Sequence, residues 1–548
     1  MKLVTVAEMR AIEKEANAKG LTYEHMMENA GQGLAEVLQE NFQEFKQEGV
    51  LGLVGSGNNG GDTLVALAIL VSRGWMGSAY IVRPRPEGDP LMQRLEQAGG
   101  KIYRVEDDPG YERLTALVEN HALLLDGVLG TGVHLPLKKE VAVVLDAAGR
   151  ALDSLAERPK VIAVDCPSGV DCDTGEAAVE CIPADLTVTM AAVKRGLLKF
   201  PAFELMGDLQ VVGIGLPGDG EEMESWRSVN RIVPSVERIR DMLPWRPADA
   251  HKGTFGTALI VAGSLNYTGA ALLAGEAAYR IGTGLVTLAV PTPLHAALAG
   301  QFPEATWLLL PNEMGVISST AAGVVKDNLG RATALLVGPG FGMEDTTREF
   351  LSRLLGNSMR HSRSGIGFVH AEKENEQTQA NGLPALVIDA DGLKLLADIP
   401  DWPKRLPGPA VLTPHPGEMS VLTGLSTAEI QADRIAVAER FSREWGHVVV
   451  LKGAFTVIAA PDGQSAVLPV ATSALARAGT GDVLAGLIVG LRAQGLQAFP
   501  AAVAGAWIHA QAGLEAAEEL GNTASVLASD VLRAVISVMS EVQGNPSG

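Results

Sequence analysis

Arg477-Ala478-Gly479-Thr480-Gly481-Asp482-Val483-Leu484-Ala485-Gly486 passes from a glycine-rich turn straight into an apolar helical run, with one carboxylate at the junction. The first backbone N–H groups of a helix have no partner inside it, and the helix dipole is positive there, so such a turn can hold a phosphoryl group. Small residues keep side chains from blocking the approach. Asp482 sits beside that anion site, where a carboxylate can take a proton from a substrate hydroxyl. A plain glycine turn capped by Asp carries the same four letters, so the rest of the chain has to decide.

Working outward, short apolar runs near 258–262, 285–290, 334–337, 385–389, 410–413, 447–451 and 456–460 alternate with alanine-rich helical stretches. The same rhythm holds near the N-terminus, at 50–54, 78–82, 123–126, 161–165, 186–190 and 209–214. It predicts a doubly wound parallel sheet over 1–217, after helices within 5–45. Residues 218–249 lose the period and carry Pro234, Pro244 and Pro247, which predicts a linker. A second α/β domain is expected over 250–541. Residues 361–381 are polar and glycine- or glutamine-bearing, and read as a mobile surface insertion.

The 548 residues exceed what one core accommodates, and 47% apolar with 20% charged residues is ordinary globular composition. A formal charge of −20 argues against nucleic acid or an anionic membrane as the main partner. Backbone amides and a metal can still hold a nucleotide. Three cysteines, Cys166, Cys172 and Cys181, predict a reducing compartment without a disulfide framework. No signal-peptide pattern opens the chain, and no uncharged apolar run reaches the roughly 18–20 residues of a membrane span. A cytoplasmic protein, expected to be a homo-oligomer, is the reading.

After the first strand comes Gly55-Ser56-Gly57-Asn58-Asn59-Gly60-Gly61-Asp62, a phosphate-cradle arrangement at the carboxyl end of a sheet. It is neither a Walker loop nor the usual dinucleotide fingerprint, since Lys is absent and the spacing differs. Two more strand ends are polar, Asp126-Gly127-Val128-Leu129-Gly130-Thr131-Gly132 and Asp165-Cys166-Pro167-Ser168-Gly169-Val170-Asp171-Cys172-Asp173. Carboxyl ends of neighbouring strands converge on one crevice. Asp171 and Asp173 are equally readable as turn residues.

These segments, with Met27-Glu28-Asn29-Ala30-Gly31, resemble the NAD(P)HX epimerase family, whose domain is Rossmann-like. The resemblance covers about 1–217 and implies a site for hydrated NAD(P)H and potassium. It places Asn58, Asn59, Gly60, Gly61 and Asp62 at the ligand's phosphate region, and Gly130, Thr131, Gly132, Val133, His134, Leu135 and Pro136 along the ligand. It makes Asp165 the acid/base and Asn59, Asp126 and Ser168 the potassium ligands. Such oxygen donors suit a hard monovalent cation. Thr63 departs from the glycine common in that family.

In the second half, His251-Lys252-Gly253-Thr254-Phe255-Gly256, Tyr267-Thr268-Gly269-Ala270, Gly338-Pro339-Gly340-Phe341-Gly342, Thr413-Pro414-His415-Pro416-Gly417-Glu418 and Lys452-Gly453-Ala454-Phe455-Thr456 accompany the opening turn. Together they resemble the ADP-dependent NAD(P)H-hydrate dehydratase family, which is ribokinase-like, over about 250–540. The implied nucleotide contacts are Lys452, Gly453, Ala454, Phe455, Thr456, Gly479, Thr480 and Gly481. The implied hydrate contacts are Ala270, Gly342, His415 and Asp482, with Asp482 as the base. Hydration puts a hydroxyl on C6; phosphoryl transfer from ADP makes it a leaving group that the ring nitrogen expels, usually with magnesium present. Two α/β domains of three αβα layers, epimerase then dehydratase, are the expectation. A small-molecule kinase of the ribokinase superfamily fits the Gly-Thr-Gly-Asp turn equally well. It has no need of the His415–Glu418 segment or of the first half.

Overall fold

The computed structural model describes residues 1–356 and 382–544, so the polar insertion expected at 361–381 lies outside the described residues. The chain divides into two compact units, Met1–Val233 and Pro234–Gly548. The division falls inside the segment 218–249 expected as linker. That segment is not bare connection. Met223 and Val229 are buried in the first unit's core, and a helix spans Val236–Met242 in the second. Its elements are too short to leave a period in the sequence.

In the first unit, seven parallel strands run β1 (Val50–Val54), β2 (Gly77–Ile81), β3 (Lys101–Arg104), β4 (Leu123–Gly127), β5 (Lys160–Val164), β6 (Leu186–Met190) and β7 (Asp208–Val212). Their order across the sheet is β3-β2-β1-β4-β5-β6-β7. Helices α1 (Val6–Ala18), α2 (Tyr23–Asn41), α3 (Asn58–Ser72) and α4 (Pro90–Ala98) send Met9, Leu34, Leu67 and Leu95 into one core with Val50 and Val54. Helices α5 (Glu112–Glu119) and α6 (Lys139–Asp153) pack Leu117 and Leu145 with Leu51 and Leu53 on the opposite face. Alternate residues of β1 therefore serve different layers, as a strand's period of two requires. The strand order reverses at β1 and β4, which opens a crevice at their carboxyl ends. Strand β3 was not expected: it is an edge strand whose residues are only half-buried or exposed, so it leaves no apolar run.

In the second unit, β8 (Thr257–Val261), β9 (Leu285–Pro291), β10 (Thr306–Leu310), β11 (Ala334–Val337), β12 (Ala385–Ile388), β13 (Val411–Leu412) and β14 (Val448–Leu451) pair in parallel, while β15 (Val457–Ala459) and β16 (Ser465–Val467) add antiparallel. The order is β16-β15-β14-β13-β12-β11-β8-β9-β10. Strands β10 and β16 escaped the sequence reading. The site-bearing helices are α7 (Gly269–Arg280), α8 (Pro416–Thr423), α9 (Arg434–Trp445), α10 (Thr480–Ala493) and α11 (Ala498–Leu520). Both units are α/β, the first sheet wholly parallel and the second parallel but for β15 and β16. Among the described residues no helix is long and apolar enough to cross a membrane.

Candidate active sites

Strand β1 ends at Val54, and α3 begins only four residues later. The expected glycine-rich turn is therefore shorter than it reads. Gly55, Ser56 and Gly57 make the turn, whereas Asn58 to Asp62 are already helical. Gly60 and Gly61 serve close packing: a Cβ on Gly60 would lie 2.1 Å from Gly55 O, and one on Gly61 2.5 Å from Met27 Sδ. Gly57 caps α3 without a side chain, and the Gly61 N–H bonds back to Gly57 O at 3.2 Å. The earlier N–H groups precede the helical ladder and suit an anion.

A cavity of about 420 Å³ opens there, lined by Asn58, Asn59, Asp62, Gly130, Thr131, Gly132 and Asp165 among others. Gly60, Gly61, Val133, His134, Leu135 and Pro136 are not among its walls. Asp165 follows β5 with φ of +67°, a left-handed backbone uncommon for a non-glycine residue and costly to hold. Its Oδ1 accepts from the Met190 N–H (3.0 Å) and Thr189 Oγ1 (3.1 Å) and pairs with the buried Lys194 ammonium. Lys194 also donates to Met190 O at 2.8 Å. Burial, then the charges of Asp165 and Glu13, push the Asp62 carboxyl well above the usual range. Burial likewise raises Glu13, which lines the same cavity with Arg10, Tyr23 and Arg83.

The three potassium candidates meet around Leu129. Asn59 Nδ2 donates to Leu129 O (2.8 Å), and the Leu129 N–H donates to Ser168 Oγ (2.8 Å). The Ser168 N–H donates to Asp126 Oδ2 at 2.7 Å. Asp126 is fully buried with no ion-pair partner among the described residues, and burial raises its pKa. A buried carboxylate without a cation, beside amide, hydroxyl and carbonyl oxygens, fits a hard monovalent ion. Asp171 accepts from the N–H groups of Asp173 and Thr174, and Asp173 from that of Val6, so both are turn and tie residues.

Thr63 is completely buried and donates to Asn59 O at 2.8 Å. Its bulk is accommodated by two glycines: a Cβ on Gly127 would lie 1.9 Å from Thr63 Oγ1, and one on Gly52 2.9 Å from Thr63 Cγ2.

In the second unit Gly479, at φ +92°, caps α10, again without a side-chain bond. Thr480 Oγ1 donates back to Leu475 O (2.9 Å) and Arg477 O (2.8 Å), fixing the turn. The adjoining cavity, about 470 Å³, is lined by His415, Lys452, Gly453, Ala454, Thr456, Thr480 and Gly481 among others. Phe455 adopts φ +53° and does not line it.

Lys452 Nζ donates to Asp389 Oδ1 at 2.7 Å and lies 3.6 Å from Glu418 Oε2. Burial alone would lower its pKa, but Asp389 and Glu418 outweigh it and the net shift is upward. Asp389 Oδ1 also accepts from Thr413 Oγ1 at 2.6 Å. Burial, reinforced by Asp389, pushes Asp482 up to about 7. Such a carboxyl accepts a proton far better than an ordinary one near neutrality.

His415 caps α8, its Nδ1 accepting from the N–H groups of Gly417 (3.0 Å) and Glu418 (3.3 Å). The neutral ring therefore carries its proton on Nε2, which lies 3.2 Å from Glu418 Oε1. His415 thus holds a structural bond and faces the cavity of the expected nucleotide segment. Ala270, Gly342, Gly479 and Asp482 lie outside that cavity's walls. The Gly342 N–H donates to Asp391 Oδ2 at 3.0 Å, and Ala270 adjoins Gly340. Asp391 is one of the charges acting on Asp482.

Asp389, Asp391, Lys194 and Glu13 were not singled out as site residues. Asp389-Ala390-Asp391-Gly392 follows a strand just as the recognised motifs do, so its signal was present. Lys194 reaches Asp165 across 29 residues with no local pattern. Among the described residues no group of three His, Cys, Asp or Glu side chains is placed to hold a metal ion.

Comparison with known proteins agrees with this division. Residues 23–196 match the family described as YjeF-related protein N-terminus, and residues 258–536 match NAD(P)H-hydrate dehydratase. The chain is 36% identical over 540 residues to the bifunctional NAD(P)H-hydrate repair enzyme Nnr of Moorella thermoacetica, covering 97% of this chain and 95% of that one. It is 34% identical to the Nnr of Salinibacter ruber, covering 95% and 93%. A crystal structure of ADP/ATP-dependent NAD(P)H-hydrate dehydratase from Bacillus subtilis, co-crystallised with ATP and Mg2+, is 29% identical; it covers 57% of this chain and 99% of its own, at a TM-score of 0.46. By its likeness to the Moorella thermoacetica protein along almost its entire length, the chain belongs to the family of bifunctional NAD(P)H-hydrate repair enzymes.

Proposed function

We propose that the first cavity interconverts the R and S hydrates of NADH and NADPH, and that the second dehydrates the S form with ADP, giving AMP and phosphate. Epimerisation is assigned to residues 1–217 and dehydration to 250–541. The observation that carries the reading is Asp482, a carboxyl brought to about 7 at the first turn of a helix with no side-chain cap, beside the fixed Lys452–Asp389 pair. Ionised Asp482 takes the proton of the C6 hydroxyl as it attacks the phosphoryl group, which the N–H groups of the α10 turn orient. Magnesium supplied with the nucleotide would neutralise phosphate charge. Lys452 is held charged at the nucleotide wall. In the first cavity, Asp165 exchanges protons with the substrate, and Asn59, Asp126 and Ser168 hold potassium, which would offset charge around the ligand phosphates. Free thiols at Cys166, Cys172 and Cys181 support a reducing, cytoplasmic setting. A homo-oligomer completes the reading, and light scattering measures it.

The test is purified protein with a mixed hydrate preparation, with and without ADP or ATP. Nucleotide-dependent return of dihydronicotinamide absorbance, running to consumption of both epimers, is the expected outcome. Return that stops at the S form removes the first half of the reading, and none at all removes the second.

A further inference from the structure

Two carboxyls on the first cavity, Asp62 and Glu13, have no hydrogen-bond or ion-pair partner among the described residues, and of the two only Asp62 is buried. Asp62 sits one turn into α3 and is 8% exposed, and it lines the cavity. Among the described residues no hydrogen bond or ion pair reaches its side chain. Asp165 in the same wall is the opposite case, bonded by Met190, Thr189 and Lys194. A buried carboxylate with no donor is costly, whereas a buried carboxylic acid is tolerated and has one proton to give. The groups acting on Asp62 are Asp165, Glu13 and Lys194, and Arg10, Tyr23 and Arg83 line the same cavity. The two anions oppose its ionisation; Lys194 is already engaged by Asp165.

We propose that Asp62 is the proton donor of epimerisation and works against Asp165 as the acceptor. This rests on the epimerase reading of the cavity and goes beyond contact with the ligand. The step is balanced as follows. The Asp62 carboxylic acid gives its proton to the C6 hydroxyl oxygen while the C6–O bond breaks. The N1 lone pair forms an N1=C6 double bond, and water leaves. Water then adds to the opposite face of C6, its proton passes to the Asp165 carboxylate, and the N1=C6 electron pair returns to N1. One proton moves back from Asp165 to Asp62 through solvent, and no oxidant or reductant is consumed. The Lys194 ammonium pairs with Asp165, whereas among the described residues no ion pair reaches Asp62.

The experiment uses the full-length protein in potassium buffer with purified R hydrate and ADP, so that its own dehydratase reads out each epimerised molecule. Asp62→Asn is expected to slow consumption of R hydrate by about 10²–10⁴-fold, the usual range for losing a general acid. Dehydration of S hydrate by the same preparation stays normal and shows that the second unit is intact, while an unchanged circular dichroism melting curve shows that the first is folded. In Asp62→Ala, added formate restores consumption of R hydrate, and the restoration grows as pH falls, because formic acid is the donor. With wild-type protein in ¹⁸O-labelled water and no ADP, the S hydrate formed carries label in its C6 hydroxyl. Normal consumption of R hydrate by Asp62→Asn overturns the proposal. Loss without rescue in Asp62→Ala makes Asp62 a positioning residue and also overturns it. Unlabelled S hydrate overturns the C–O cleavage step. If wild-type protein leaves R hydrate untouched, the epimerase reading itself falls, and that is separable from each of these.

Discussion

The two cavities are built alike and tuned apart. Each lies at a helix that begins on glycine with no side-chain cap, Gly57 before α3 and Gly479 before α10. By contrast α1, α2 and α4 are capped by Thr5, Thr22 and Asp89. Each also has one member of a Lys–Asp ion pair in its wall, Asp165 of the Lys194–Asp165 pair in the first and Lys452 of the Lys452–Asp389 pair in the second, and each pair acts on a further carboxyl, Asp62 or Asp482. The difference is depth. Asp482 is in the first turn of its helix, where outward N–H groups favour a negative charge, and its carboxyl rises only to about 7. Asp62 is two residues further in, and burial, then Asp165 and Glu13, raise it well above the ordinary carboxyl range.

The largest effect should come from Asp482→Asn. Losing a general base costs about 10²–10⁴-fold in nucleotide-dependent dehydration, or about 3–5 kcal/mol in the barrier. ADP affinity, measured by calorimetry, should survive, because the α10 turn is untouched and one negative charge is gone. The sign of the stability change follows from linkage. Folding raises the Asp482 pKa from 3.8 to about 7, so the native state prefers the proton, and this contribution is lost as pH rises through about 7. Asp482→Asn should therefore raise Tm more at about pH 8 than at about pH 5. The wild-type dehydration rate should fall as pH drops through about 7. Normal turnover in the variant would reduce Asp482 to a helix-start residue.

Asp165→Asn should abolish consumption of R hydrate while S-hydrate dehydration continues, since the two carboxyls belong to different units. It leaves Lys194 buried against a neutral amide, so the first unit should also lose stability, on the order of 3 kcal/mol. Normal R-hydrate consumption would break the comparison at its base. Lys194→Met and Lys452→Met sharpen it. Lys194 has a side chain 1% exposed against 18% for Lys452, so the loss of thermal stability should be larger for Lys194→Met. Only Lys452→Met should weaken ADP binding. The smallest expected signal is crystallographic: rubidium soaked into crystals should give an anomalous peak among Asn59, Asp126 and Ser168, and a peak elsewhere would remove that site.

Much of this architecture was legible because both sheets are built from buried parallel strands, whose short apolar runs differ sharply from the helices between them. Strand β3 was not, because an edge strand with half-exposed residues has no such run. The glycine-rich segment after β1 was read as a longer turn than it is. Glycines chosen for close approach, such as Gly60 against Gly55 O, look in sequence like glycines chosen for a loop. Motif carboxylates Asp126, Asp165 and Asp482 were readable from their strand-end or helix-start positions. Lys194 and Glu13 were not, because Lys194 reaches Asp165, and Glu13 the cavity, from elements carrying no motif. Their roles depend on packing, which spacing along the chain does not encode.

The seat of Thr63 has a consequence for how this site can change over time. A methyl group on Gly127 would land 1.9 Å from the Thr63 hydroxyl, so with threonine in place the strand position has no room to grow. With glycine at 63 that obstruction vanishes, and the first atom an alanine at 127 then meets is Leu53 O, at 3.2 Å. The two positions are epistatic: each restricts which residues the other can explore, with coupling of about 0.5–3 kcal/mol typical of side chains in contact. Beside the Asn59 carbonyl that Thr63 grips, a lineage that keeps this threonine keeps glycine at 127 as well.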